Sequence, residues 1–447
     1  MEIKCDSRKV KKGDTFVAIK GFTDDGHDHI EEAILNGAKT VVCEHGLYEV
    51  DTLIVKNSKD YLIRYLKEHY YDQIKDLKLI GVTGTNGKTT TCFLLYQALK
   101  KLGYKCAYIG TIGFYIENKI SDLNNTTPDI LDIYEMLLKA KEAGCLYVMM
   151  EVSSHALDMR RVDGLEFDIA VFSNLTKDHL DYHLDMKNYA LAKQKLFYQL
   201  KHNGIALVNA DDDYKSFFLV HNNTITYGLK DGDIRLTNDQ TSIHGSTFQV
   251  GDTEFEMSLI GKHNLYNMLV VIIILRQLGI EEAKIKDVVK ELEAPKGRME
   301  MIQYLDNIIV VDYAHTPDAV ENIISAFSEI EHEHLYTIVG CGGNRDKTKR
   351  PVMAKIATDL SDFVIFTSDN PRNEDPEQIL NDMVSNLDNQ NYETIVNRAK
   401  AIGRGIQKCQ KNDILLVLGK GHEEYQITKE GKIHFSDVEI IEDYINK

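Results

Sequence analysis

Short runs of consecutive apolar residues alternate along this chain with longer stretches in which apolar positions recur every three to four residues. That is the pattern of buried strands separated by amphipathic helices. In the first 77 residues, runs at 15–19, 40–43 and 52–55 predict strands. Helices are predicted at 30–35 and 60–70, with a polar turn at Asp24-Asp25-Gly26-His27. A second set has strands at 107–112, 147–152, 169–172 and 205–208, and helices at 89–102, 130–143 and 189–200. Between 224 and 260 short alternating segments with Gly and Asp turns predict an antiparallel patch, closed by helices at 263–278 and 285–292. After Ala294–Arg298 the alternation restarts, with strands at 308–311, 335–339, 363–367 and 414–418 and helices at 319–327, 351–360 and 378–387. The reading is an α/β fold of three domains, 1–77, 78–295 and 296–447, the last one Rossmann-like.

The polar residues at the joins carry the candidate chemistry. The second unit opens on GVTGTNGKTTT, residues 81–91, between a short apolar run and a helix. Gly84 and Gly87 free backbone N–H groups for an anion, flanked by Thr85, Asn86 and Thr90. Lys88 suits the β- and γ-phosphates, and the Thr89 hydroxyl suits Mg²⁺. Val82 stands where the strict Walker spacing has glycine, so the loop is a shortened variant. Unless it is an ordinary glycine turn between strand and helix, it binds a nucleotide and makes the second unit the candidate for a central P-loop, parallel-sheet ATPase domain.

Glu151, at the end of a predicted strand, could hold Mg²⁺, or the segment could simply be a helix start capped by Ser153. Asp178, His179, Asp181 and His183 cluster behind the next strand, as metal ligands or as hydrogen-bonding turn residues. Lys193 and Lys195 are either solvated helix lysines or, facing a metal, the seat of a CO₂-derived carbamate; spacing does not decide. In the last unit Arg345, Lys347, Lys349, Arg350, Arg372, Glu423 and Glu424 follow strand ends. Together they would fit a zwitterionic amino acid, unless they are solvated loop charges.

Composition narrows the picture. A net charge of −17 argues against nucleic acid as a partner. The seven scattered cysteines lack CxxC spacing and read as reduced thiols of a cytoplasmic protein. No signal peptide is visible, and the longest apolar run, 268–275, is too short for a membrane span.

Taken in order, the strings TGTNGKTT, NTTPD, MEVSSHAL, NLTKDHLDYH, ALAK, GKHNLYN, KGRME, DYAHTPDA, GCGGNRDKTKR, DNPR and GKGHEEYQ resemble the Mur ligase family over essentially the whole chain. The resemblance implies an ATP-dependent ligase of peptidoglycan synthesis that works as a cytoplasmic monomer on small molecules, without nucleic acid or membrane. ATP would lie on Gly84, Thr85, Asn86, Gly87, Lys88, Thr89 and Thr90, with Asn264, Arg298 and Asp312 completing its site. Mg²⁺ would be held by Thr89, Glu151, His179 and a carbamylated Lys193, which the family's Ala-Lys pair selects over Lys195. Lys88, Glu151, His179 and Lys193 would form the catalytic group. UDP-N-acetylmuramoyl-L-alanyl-D-glutamate would meet Ser7, Thr126, Thr127, Ser153 and Arg161. The amino acid would meet Arg345, Asp369, Asn370, Arg372, Gly419 and Glu423. DNPR is the family's signature for meso-diaminopimelate, and closure of the last domain would assemble the site. Two departures stand out: Asn344 where Asp is common, and a somewhat short first domain.

Overall fold

The computed structural model describes residues 2–21, 24–388 and 390–446. Its first unit is a parallel four-stranded sheet of Ile3–Lys4, Thr15–Val17, Thr40–Cys43 and Asp51–Ile54, in that order. The 24–27 turn is the start of a 3₁₀ helix, Gly26–His29, because the Asp25 carboxylate accepts the His27 N–H. The helix Ser58–Ile74 packs on Ile130–Glu142 of the middle unit. Leu62 and Leu66 thereby share one core with Ile130, Ile133 and Leu137. That shared core holds the first unit against the second.

The middle unit is built on an eleven-stranded sheet. At its centre Lys78–Thr83 lies between Tyr147–Glu151 and Phe167–Phe172, all parallel. Val82 pairs with Glu151 and Thr83 with Phe172, so three strand ends finish side by side. Everything that follows those strands is thereby brought to one edge. The helix Lys262–Gln277 covers one face, with Met268 to Leu275 buried throughout.

Two expectations need correction, and one element was not expected. The stretch 224–260 is not wholly antiparallel: Thr224–Gly228 joins Leu200–Asn209 in parallel, and only Ile234–Ser242, Gly245–Val250 and Thr253–Met257 form antiparallel pairs. The helix at 189–200 is instead Met186–Gln194, capped by Asp185, running into a 3₁₀ turn, Lys195–Gln199. Cys106–Gly110 also continues into an unforeseen hairpin, Gly113–Ile116 with Asn118–Ser121.

The last unit is a six-stranded sheet in the order Glu300–Tyr304, Asn307–Asp312, Ile414–Leu418, Leu335–Val339, Phe363–Thr367, Tyr392–Ile395. Only its first strand is antiparallel. It docks on the middle unit through Asn86 Nδ2, which donates to Asp318 Oδ2 at 2.7 Å, and Lys262, which meets Glu329 at 3.3 Å. All seven cysteines are free thiols. No helix among the described residues is long and apolar enough to cross a membrane.

One backbone position is strained. Leu184 has φ 72° and ψ −46° and is 79% exposed, so it spends left-handed geometry on a side chain that packs on little. Leu184→Gly should therefore stabilise the fold by about 1 kcal/mol in urea unfolding, even after glycine's entropic cost. A destabilised variant would show that the leucine side chain outweighs its backbone.

Candidate active site

The strand Lys78–Thr83 ends in a loop that requires glycine twice. Gly84 has φ +151° and a Cβ there would collide with the Ser173 hydroxyl. Gly87 has φ +87° and its Cβ would lie 2.5 Å from Asn267 Oδ1. The next strand end braces the loop: Thr85 N donates to Asn174 O at 2.8 Å and Asn86 N to Asn174 Oδ1 at 2.9 Å. Ser173 Oγ donates to Asn86 O at 2.6 Å. The helix Lys88–Lys101 begins at Gly87 with no side-chain cap, so its first-turn N–H groups, with buried Thr89 and Thr90, face the loop as anion donors.

Two lysines converge on the same carbonyl. Gly84 O accepts from Lys88 Nζ at 2.9 Å and from Lys193 Nζ at 2.6 Å. Lys193 is 1% exposed, lies over the Tyr189 ring at 4.5 Å, and has no carboxylate partner among the described residues. Burial, with the charge of Lys88, holds its ammonium well below the ordinary lysine range. Lys195 turns outward and pairs with Asp158 at 2.8 Å. The fold therefore separates two lysines that spacing alone leaves equivalent.

Glu151 is fully buried and accepts four hydrogen bonds. Oε2 takes the Thr89 hydroxyl at 2.8 Å and the Thr111 hydroxyl at 3.1 Å. Oε1 takes Thr111 N at 2.9 Å and the Tyr108 hydroxyl. Thr111 Oγ1 also meets Thr126 Oγ1 at 3.1 Å, while Thr127 Oγ1 donates to Glu151 O at 2.8 Å. Ser153 N donates to Thr127 Oγ1 at 3.0 Å, and Ser153 Oγ accepts from Ala156 N, so Ser153 does cap the short helix Ser154–Asp158. Arg161 Nη1 donates to Thr127 O at 3.0 Å. Thr126, Thr127, Ser153 and Arg161 thus form one line leading away from Glu151.

The histidines near this line divide. The His179 ring lies 4.8 Å from His155, and burial with the nearby His155, Lys193 and Lys88 lowers its imidazole despite Asp178 at 3.3 Å. His183 turns away to Ser154 Oγ at 2.9 Å. The expected Asp178, His179, Asp181, His183 metal cluster is not formed: no three His, Cys, Asp or Glu side chains among the described residues are grouped to hold a metal.

Burial, with His155 and Lys193, pulls His183 down from 6.5 to about 4. Its unfolded form therefore gains a proton, as pH falls through 6.5, that the folded form refuses until about pH 4. Folding stability should fall by about 2 kcal/mol between about pH 7 and 5 through this residue. His183→Gln should flatten that part of the slope in denaturant titrations; an unchanged slope removes His183 as its source.

The last unit brings a second group to its strand ends. Asp312 accepts from Met299 N at 2.8 Å and Ala314 N at 2.7 Å, and burial raises its carboxyl. Arg298 lies 4.6 Å over the Tyr313 ring with a buried, unpartnered Nε. Asn264 is buried below, donating to Ile260 O at 2.9 Å.

Asn370 Nδ2 donates to Glu423 Oε2 at 2.8 Å, and the fully buried Lys420 meets the same oxygen at 2.9 Å. Gly419 is obligatory, since a Cβ at φ +117° would lie 2.7 Å from Asp369 Oδ2. Arg350 is not a pocket charge as expected: it is fully buried between Glu374 at 3.0 Å and Asp382 at 2.7 Å. Lys347 is likewise spent on Glu374. Arg372 donates to Gly343 O at 2.9 Å and is lowered by burial and by the like charge of Arg345. Neither Arg345 nor Arg372 has a carboxylate partner among the described residues. Asn344 sits at φ 52° and its Oδ1 accepts from Asn373 N at 3.1 Å, a conformation asparagine tolerates well.

A cleft of about 1250 Å³ opens between the first and middle units. Ser7, Lys59, Asn125, Asp129 and Arg161 are among its lining residues. Ser7 Oγ is directed to Glu32, and Arg161 Nε lies 3.3 Å from Asp129. Tyr108, Thr111, Asn174 and Lys420 were not singled out from sequence. Tyr108 was legible, since it stands two residues before Gly110 and so on the same strand face.

A glycine phosphate loop beside a buried carboxylate, with a Rossmann-like unit docked on the loop through Asn86 and Asp318, defines a three-domain ATP-dependent ligase. The chain belongs to the Mur ligase family. Family models match as the "Mur ligase family, catalytic domain" over residues 2–71, the "Mur ligase middle domain" over 82–275 and the "Mur ligase, glutamate ligase domain" over 297–421.

A protein of Clostridium perfringens is 40% identical over 99% of this chain and 94% of its own length. One of Bacillus cereus is 42% identical over 99% and 93%. Both are named UDP-N-acetylmuramoyl-L-alanyl-D-glutamate--2,6-diaminopimelate ligase. A solved structure with that name superposes with a TM-score of 0.70 at 34% identity, covering 99% of this chain and 94% of the other.

Proposed function

We propose that this ligase joins meso-diaminopimelate to UDP-N-acetylmuramoyl-L-alanyl-D-glutamate, forming ADP and phosphate. The observation that carries the choice of amino acid is the pair Arg345 and Arg372, left without carboxylates while Lys347, Arg350 and Lys420 are all paired. Diaminopimelate bears a carboxylate at each end, and lysine lacks the distal one. Asp369, with Asn370 and Gly419 shaping the pocket, suits its ammonium group, and Glu423, held through Oε2 by Lys420 and Asn370, adds negative charge beside it.

The division 1–77, 78–295 and 296–447 assigns one substrate to each domain. The 1250 Å³ cleft takes the UDP-substrate, from Ser7 to Arg161, and Thr126, Thr127 and Ser153 lead its glutamyl end toward the phosphate loop. ATP lies along Gly84 to Thr90, with Asn264, Arg298 and Asp312 on its nucleoside side. The enzyme acts as a monomer in the cytoplasm, without nucleic acid or membrane.

A γ-carboxylate oxygen attacks the γ-phosphorus, the bond to ADP breaks and an acyl phosphate forms. Lys88 neutralises charge on the transferring group. The amine of diaminopimelate then attacks the acyl carbon, the C–N bond forms, phosphate departs with the C–O electron pair, and the nitrogen loses its proton.

A buried Glu151 with no ion-pair partner among the described residues, next to the Thr89 hydroxyl, suits a hard divalent ion. Glu151 and Thr89, with His179 and a carbamate on Lys193, would hold Mg²⁺, which supplies positive charge to the phosphate oxygens. The carbamate makes up the donor set that carboxylates and imidazoles alone leave short.

Phosphate release measured with the UDP-substrate against a panel of amino acids tests this reading. Release should require both substrates and favour meso-diaminopimelate. No release with any amino acid would end the ligase assignment, and equal rates with lysine would end the role of the arginine pair.

A further inference from the structure

Glu151 presents its two oxygens very differently. Oε2 faces only the hydroxyls of Thr89 and Thr111, which rotate and carry lone pairs of their own. Oε1 is closed. Thr111 N is a fixed donor at 2.9 Å, and the Tyr108 hydroxyl bonds the same oxygen from the opposite strand position. Gly110 completes the enclosure, because a Cβ there would collide with both Oε1 and the Tyr108 hydroxyl.

Tyr108 has little freedom to move. It is fully buried, and its ring is gripped edge-on by Phe93 and Tyr115, each at 5.7 Å between centroids. A phenol keeps its proton at neutral pH, so Tyr108 serves Oε1 as a donor. Two donors fill the two lone-pair directions of Oε1.

We infer that Tyr108 makes Glu151 a one-oxygen ligand and so selects a small octahedral cation over a larger one. This rests on the reading that Glu151 faces a divalent ion, and goes beyond it by naming the residue that sets the ion's size. Mg²⁺ takes single carboxylate oxygens in near-octahedral geometry, whereas Ca²⁺ readily accepts a carboxylate through both oxygens and fills six to eight positions. Removing the Tyr108 hydroxyl opens Oε1 to a second bond with the ion. The phenol acts here through Glu151, as a positioning residue.

The test is competition for bound Mn²⁺, followed by electron paramagnetic resonance in the presence of a non-hydrolysable ATP analogue. With the unaltered protein, Mg²⁺ should displace Mn²⁺ more effectively than Ca²⁺ does. In Tyr108→Phe, the Ca²⁺-to-Mg²⁺ affinity ratio should rise about tenfold, the scale of one hydrogen bond to a charged acceptor. An unchanged ratio in a folded Tyr108→Phe protein overturns the inference. Failure of the unaltered protein to bind Mn²⁺ overturns the cation site itself, a separate result. If Tyr108→Phe does not fold, Gly110→Ala displaces the same oxygen from the other side. A ratio unmoved there overturns the inference equally.

Discussion

Replacing Lys193 with alanine should lower substrate-dependent phosphate release about a thousandfold, the scale on which preorganised charge acts in an active site, and added CO₂ should not restore it. The argument starts from the amine's surroundings. Lys193 is buried against Gly84 O and the Tyr189 ring, with Lys88 reaching the same carbonyl. An ammonium there has no ion-pair partner among the described residues, and burial with the like charge of Lys88 outweighs the pull of Asp178, so the uncharged amine is favoured. An uncharged amine is the form that attacks CO₂: its nitrogen bonds carbon, a proton is lost, and a carbamate anion remains. One change thereby removes an unfavourable cation and supplies an anionic oxygen ligand. Lys195→Ala, on the surface, should leave activity within about twofold, as surface substitutions usually do. Near-full activity of Lys193→Ala would defeat the assignment, as would absence of a ¹³C-carbamate resonance from the unaltered protein in labelled bicarbonate.

Arg372→Ala should cost between about tenfold and a hundredfold in preference for meso-diaminopimelate over lysine, read as the ratio of kcat/KM values. The loss should fall on diaminopimelate, with lysine little changed or improved. A lysine substrate leaves the guanidinium without its carboxylate in a half-buried site, a penalty that disappears with the arginine. Arg345 stands beside Arg372 and repels it, so its removal alone should have a smaller effect. An unchanged ratio in Arg372→Ala would remove that residue as the reader of the distal carboxylate.

Much of this was legible in sequence because chemistry sits at strand ends. Apolar runs locate most of the predicted strands within a residue or two, though the run 205–208 belongs to a strand that begins at Leu200, and polar residues that follow them must lie at one sheet edge. Gly84, Lys88, Glu151 and Asp369 were found that way. What one sequence hides is which charge is already spent. Arg350 and Arg372 look alike in the sequence, yet Glu374 and Asp382 consume the first from a different helix and loop. The histidines behaved similarly: four metal-competent residues in ten looked like a cluster, but a local turn sent His183 to Ser154. The 113–121 hairpin escaped because its second strand, Asn118–Ser121, is exposed throughout and leaves no apolar run to read.

The contact between Asn86 and Asp318 ties the phosphate loop to the last unit. Burial raises the Asp318 carboxyl above its ordinary value, by more than the hydrogen bond from Asn86 lowers it. Swinging the last unit away would return the carboxyl to water and let it shed a proton more readily. The docked arrangement would thus be the more proton-rich of the two, and acidification would favour it. A movement of the last unit would then be linked to the acidity of the medium through Asp318, a side chain that touches neither the transferred phosphoryl group nor the new amide bond.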